Sequence, residues 1–158
     1  MNGFSSGNVR ARALPAFESR AVVGFASLLA GVNDVVRGVP EARYRANVEH
    51  ILERLLARLP PARIVCVETP DYTVTPAGAD YGDPATQRAG IVRLNAVLRE
   101  AAGRRGIAFV GGILAISSEA ASDRTLVAPA GLHPSGAQYE RWVVERIEPA
   151  VRELLAGG

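Results

Sequence analysis

Residues 21–34, Ala21-Val22-Val23-Gly24-Phe25-Ala26-Ser27-Leu28-Leu29-Ala30-Gly31-Val32-Asn33-Asp34, decide how the rest of the chain is read. An apolar run ends at a glycine, and an amide and a carboxylate stand just past it. An uncharged stretch of this length predicts a strand over 21–30 buried on both faces, as inside a parallel sheet. Parallel strands need long crossovers, so helices should flank this one on either side.

They do. Upstream, Val9, Ala13, Leu14 and Phe17 form a helical stripe that begins or kinks near Pro15. Downstream, Tyr44, Val48, Ile51, Leu52, Leu55, Leu56 and Leu59 share one face of a helix over 41–59, opposite arginines and glutamates. Pro40 suits its first turn, and Pro60-Pro61 ends it. His50 lies off that stripe and takes no role. Residues 64–68 (IVCVE) read as a second buried strand, and 70–84 as a long loop with three prolines. Such loops are often functional in a compact domain, and a mobile surface excursion is the equal alternative. Asp83-Pro84 opens a helix with a cap and a first-turn proline; Ile91, Leu94, Leu98 and Ala101 give its buried side, and Gly106 its stop. Residues 107–110 read as a third strand and 111–134 as irregular. Ser135 and Gln138 then form a capping box for a last helix, whose Trp142, Val143, Ile147, Val151 and Leu154 face inward and which Pro149 bends.

The alternation predicts an α/β fold, a three-layer α/β/α, flavodoxin-like parallel sheet that is incomplete, with about three strands. One domain over 1–158 suits the length, and 48% hydrophobic residues suffice for a core. In such sheets ligands bind beyond the carboxyl ends of the strands. Gly31-Val32-Asn33-Asp34, the loop after Glu68 and the segment after Val110 all stand there, and His133 arrives just before the final helix.

Composition excludes several classes. The pI is near 9.1, yet the net charge is only +2, and all eighteen basic residues are arginine, scattered among sixteen acids. A nucleic-acid binder would cluster them and interleave aromatics, so no nucleic-acid partner is expected. No apolar run reaches the roughly eighteen residues of a membrane span, and residues 1–7 lack the basic and apolar regions of a signal peptide. Localisation is left open. Cys66 stands alone, which excludes an internal disulfide and a cysteine metal cluster. Without a metal cluster or nucleotide loop, no cofactor and no metal are expected.

Gly31-Val32-Asn33-Asp34 resembles the G-x-N-D block of the SGNH/GDSL hydrolases, and Gly131-Leu132-His133-Pro134 their D-x-x-H-P block. The order of elements between the two is similar as well, so the resemblance covers nearly the whole chain. Alone, Asn-Asp after a strand is often only a turn. With a histidine-proline turn about a hundred residues later, opening a C-terminal helix, the combination is specific. The resemblance implies acyl transfer to water on a small ester substrate, by an esterase or lipase. It implies that Asn33 is the oxyanion amide and His133 the general base. A backbone N–H from Gly3, with Gly7 as runner-up, would be the further oxyanion donor.

Two departures stand beside the match. The family's G-D-S block, with the nucleophile and the first two strands, is absent, so an N-terminally truncated member is expected: a late gene start, a truncated gene or an expressed fragment. The acid position three residues before His133 is Ala130. Gly3-Phe4-Ser5-Ser6-Gly7 fits a nucleophile elbow, but that elbow needs a preceding strand. Ser135 is better explained as a helix cap, and Asp123 is a candidate replacement acid whose position the sequence does not fix. The expectation is a homologue with little or no activity; the alternative is a catalytically dead relative, a pseudoenzyme, that binds a ligand or partner. Without the family's first strand, the edge of strand 21–30 would be an unpaired apolar surface open to self-association.

Overall fold

Ile64-Val65-Cys66-Val67 carries no charge, and all four residues are buried. They form β2 (Ile64–Val67), the centre of a three-stranded parallel sheet in the order β1-β2-β3, with β1 (Ala26–Leu28) and β3 (Ala108–Val110) on its edges. Leu28 is aligned with Cys66, and Cys66 with Phe109. The computed structural model describes residues 3–157; Met1, Asn2 and Gly158, the ends of the expected 1–158 domain, lie outside the described residues.

Side chains alternate across a strand, so β2 feeds two cores. Ile64 and Cys66 join Leu28, Tyr44, Leu52 and Leu98 on one face, under α4 (Glu41–Leu56) and α5 (Pro84–Gly103). Val65 and Val67 join Val110, Ile113, Ile116 and Trp142 on the other. That second face is covered by α6 (Ile113–Ser118), α7 (Gly136–Trp142) and α8 (Glu148–Ala156). The architecture is therefore α/β/α in three layers, as the sequence pattern predicts. Asp83 caps α5 by accepting the Thr86 N–H at 2.8 Å, and Ser135 caps α7 by accepting the Gln138 N–H at 3.3 Å.

Four expectations need correction. The strand predicted over 21–30 is paired only over 26–28. β2 begins at Ile64, after the Pro60-Pro61 break, and offers residues 21–25 no partner. Nor is that run buried on both faces: Val22 is 89% exposed and Leu29 43%. The segment 111–134 is not wholly irregular, since it contains α6 and two short 3-10 turns, Glu119–Ala121 and Arg124–Leu126. Val143, expected to face inward, is exposed. The reason is a widened π turn, Val143–Ile147, between α7 and α8, which rotates the helix face ahead of Pro149.

A matching π turn, Val9–Ala13, separates α1 (Ser6–Asn8) from α2 (Leu14–Glu18) just before Pro15. Proline lacks an N–H and crowds the carbonyl four residues back, so the turn ahead of it widens in both places.

Candidate active site

The chain leaves β1 at Leu28 and must turn at once into α3 (Val32–Val36). Gly31 makes that turn at φ 152°, where side chains are strained, and a β-carbon there would stand 2.7 Å from Thr69 Oγ1. The carbonyl of Ala30 accepts from Tyr44 Oη at 2.7 Å and from Thr69 Oγ1 at 3.2 Å. The turn is thereby tied to α4 and to the segment after β2. Thr69 is held in turn by Asn95 of α5: the amide oxygen accepts the Thr69 N–H at 2.8 Å, and the amide nitrogen donates to the Thr69 carbonyl at 3.0 Å.

This fixed turn presents Asn33 to the segment before α1. Gly3 packs against the Asn33 amide so closely that a β-carbon on Gly3 would overlap Nδ2. Asn33 Nδ2 donates to the Phe4 carbonyl at 3.3 Å. An amide nitrogen carries two hydrogens, so one donor is left over. Below this contact the segment is clamped by a buried carboxylate. Asp34 accepts the Ser6 N–H at 2.7 Å and the Ser6 hydroxyl at 2.5 Å, while Asn47 Nδ2 donates to Ser6 Oγ at 3.1 Å. Arg37 adds a third tie, donating to the Gly3 carbonyl at 3.0 Å and to Asn8 Oδ1 at 2.9 Å.

His133 reaches the same place from the other end of the chain. Residues 127–134 fold back as a small hairpin, with Val127 bridged to Pro134 and the Ala128 N–H donating to the His133 carbonyl at 2.8 Å. Gly3, Asn33 and His133 all line one cavity of about 430 Å³. Its other walls are apolar or aromatic, with Leu29, Val36, Leu132, Tyr139 and Trp142 among them. Tyr72, from the loop after β2, also borders it. Burial pushes the Tyr72 phenol up to about 12, and its hydroxyl donates to Gln87 Oε1 at 2.6 Å, so it stays protonated at neutral pH. The start of that loop is packed into the protein rather than projecting from it. Asp71 is buried and accepts from Thr73, Ser118 and Arg88.

The remaining candidates lie elsewhere. Gly7 faces Asn47 and Ser5 and does not border the cavity. Ala130 is exposed and outside the lining. Asp123 caps the turn Arg124–Leu126, accepting from the Thr125 N–H and hydroxyl; those bonds hold its carboxyl below the usual range. Ser5 is the N-cap of α1 in a reciprocal pair with Asn8, and Ser6 is spent on Asp34. Among the described residues lining the cavity there is no serine, threonine, cysteine or carboxylate. Nor, among the described residues, do three or more His, Cys, Asp or Glu side chains group closely enough to hold a metal ion. No helix among them is long and apolar enough to cross a membrane.

Gly3, Asn33 and His133, the residues to which the motif resemblance points, thus border one cavity. A family profile described as GDSL-like Lipase/Acylhydrolase matches residues 2–141. The chain belongs to the GDSL-like lipase/acylhydrolase family. No curated protein matches it. Membership relates this GDSL-like chain to esterases and lipases at the level of the family. What sequence reasoning missed in it is the clamp beneath the site. Ser6, Asn47 and Arg37 carry no motif of their own, and the one available signal is Asp34, the carboxylate that closes the G-x-N-D block next to Asn33.

Proposed function

We propose that the cavity bordered by Gly3, Asn33 and His133 is an ester-binding site, and that the 158 residues by themselves turn esters over slowly or not at all. In this reading the free N–H of the Asn33 amide and the Gly3 N–H hold the carbonyl oxygen of a bound acyl group. His133 is the base. The apolar walls take the acyl or alcohol chain, and the whole chain acts as one domain.

The observation that carries the reading is the composition of the cavity lining: an amide, a backbone glycine and a histidine, with no serine, threonine or cysteine nucleophile and no carboxylate among the described residues. An oxyanion donor is worth about 10²–10³ in turnover. Loss of the orienting carboxylate alone lowers turnover about 10⁴-fold in a well-studied triad. With nucleophile and acid both missing, histidine-assisted attack of water is what remains.

The test is a short-chain chromogenic ester offered to the purified chain. Hydrolysis should not exceed the buffer rate, and Ala130→Asp should not restore it, because position 130 supplies no nucleophile. Saturable hydrolysis that disappears in His133→Ala would overturn the inactive reading. Binding is followed separately through Trp142, the single tryptophan, which lines the cavity. A neutral alkyl ester should change its fluorescence, and Asn33→Ala should weaken that response.

A second reading, a binding protein for a ligand or partner, is favoured by one observation: Ala130 is exposed and offers His133 no carboxylate. The same titration serves it. Self-association belongs to this reading as well. β1 pairs only with β2 among the described strands, and Val22 and Leu29, which flank it in sequence, are exposed. A concentration-independent monomer in light scattering would count against self-association.

A further inference from the structure

A second cleft of about 380 Å³ adjoins the ester cavity. It is lined by Gly3, Phe4, Asn8, Arg12 and Arg37, so that Gly3 and Phe4 border both spaces. The two differ in chemistry. One is walled by apolar and aromatic side chains, the other by two guanidinium groups and an amide, and no carboxylate lines it.

The two arginines are available. Arg37 uses two donors on neutral oxygens, the Gly3 carbonyl and Asn8 Oδ1, which leaves its charge unneutralised and three of its five donors unused. Arg12 is exposed and makes no ion pair or side-chain hydrogen bond among the described residues. On the surface of α4 and α5 the arrangement is different, for there Arg45 meets Glu100 and Arg104 meets Glu49. The carboxylate nearest in sequence, Asp34, has both oxygens engaged by Ser6 and borders a different crevice, with Val39 and Pro40. Arg10, the other cation on this stretch, points at Asn47.

We propose that this cleft is an anion subsite and that the ligand of the cavity is an ester bearing a carboxylate or a phosphate. The inference rests on the proposed ester site. A carbonyl oxygen held at the Gly3 N–H leaves the part of the molecule that passes Phe4 facing Arg12 and Arg37. The anionic group then lies a few bonds from the ester carbon. Guanidinium forks match the oxygens of either group.

The test follows Trp142 fluorescence during titration with three probes at low salt: ethyl pentanoate, the monoethyl ester of glutaric acid, and a short acyl ester of a hydroxyalkyl phosphate. Inorganic phosphate is the fourth arm. Charge-assisted hydrogen bonds at a partly exposed site predict that an anionic ester binds about tenfold tighter than the neutral one. The advantage should shrink as salt is raised. Arg12→Gln should lower the anionic-to-neutral ratio about threefold or more, since one of the two guanidinium groups is gone and Arg37 remains. Which anionic ester gains more decides between carboxylate and phosphate.

If the neutral ester binds and the anionic ones gain nothing, or the ratio survives Arg12→Gln, the subsite is overturned and the ester site stands. If inorganic phosphate binds through Arg12 while the anionic esters gain nothing, the cleft is unconnected to the ester and the inference fails. If no ester moves Trp142, both readings fall.

Discussion

Gly3 and Asn33 are in such close contact that only a residue without a β-carbon fits between the backbone and the amide. The segment before α1 is thereby pressed onto the turn after β1, and both flank the cavity that His133 enters. Replacing Gly3 by alanine must displace the Asn33 amide. We expect Gly3→Ala to weaken binding of a neutral ester roughly tenfold, the loss of one well-placed hydrogen bond. Gly7→Ala should keep that affinity, since a β-carbon there meets Asn47 Nδ2 and Ser5 Oγ at an ordinary 3.7 Å. Titration of Trp142 fluorescence compares the two.

Asp34 is buried and accepts from both the backbone and the side chain of Ser6. Asp34→Asn turns one acceptor into a donor that faces another donor. The expected loss is about 2–3 kcal/mol, the cost of an unsatisfied buried polar group. It is measured as a lower urea midpoint. Ester binding should weaken with it, because Ser6 anchors the chain that carries Gly3.

Tyr44 is fully buried, and its hydroxyl reaches the Ala30 carbonyl. Burial, reinforced by the nearby Asp34 carboxylate, raises its pKa far above the usual phenol range, so it remains a donor at any working pH. Tyr44→Phe should cost about 1 kcal/mol, a typical net hydrogen bond, since Thr69 Oγ1 still serves that carbonyl. Equilibrium unfolding in urea is the measurement.

Cys66 lies at the centre of the sheet with no exposed surface. Burial pushes its thiol up to about 12 from an ordinary 9.0. The folded chain therefore keeps this proton where the unfolded chain loses it. The stabilisation is complete below about pH 9 and is lost as pH climbs toward 12. Tyr72, also raised to about 12, acts in the same direction. The urea midpoint should fall between about pH 8 and pH 10.5, and fall less in Cys66→Ala. A thiol reagent should leave the native chain unlabelled and label it once unfolded.

The long helices were legible because their ends are written in local chemistry. Pro40 precedes α4, and Asp83-Pro84 opens α5 as a cap and a first-turn proline should. The prolines at 15 and 149 announced a disturbance, but not its form, a π turn in each case. The sequence does not predict α6 because Gly111-Gly112 before it and Ser117-Ser118 within it look like loop residues. Both serines turn their hydroxyls back onto carbonyls one turn earlier, Ile113 and Leu114, which lets them sit in a helix. Hydrophobicity predicts a longer β1 than forms, because it reports a tendency to be buried, whereas strand length also needs a partner. For the candidate site, motif residues were visible and their supports were not. Asn33 and His133 stand in recognisable blocks, whereas the pairing of Asp34 with Ser6, 28 residues away, exists only once the chain is folded.

The grip of Asn95 on Thr69 has a consequence for the motions of the segment that follows β2. Thr69 lies beyond the end of β2, where amides normally exchange with solvent through local fraying. Its N–H is instead held by a side chain of α5, whose inner face belongs to the main core. Hydrogen exchange at this amide should therefore follow global unfolding. A loop peptide next to Pro70, on the cavity wall, would then keep time with the centre of the protein.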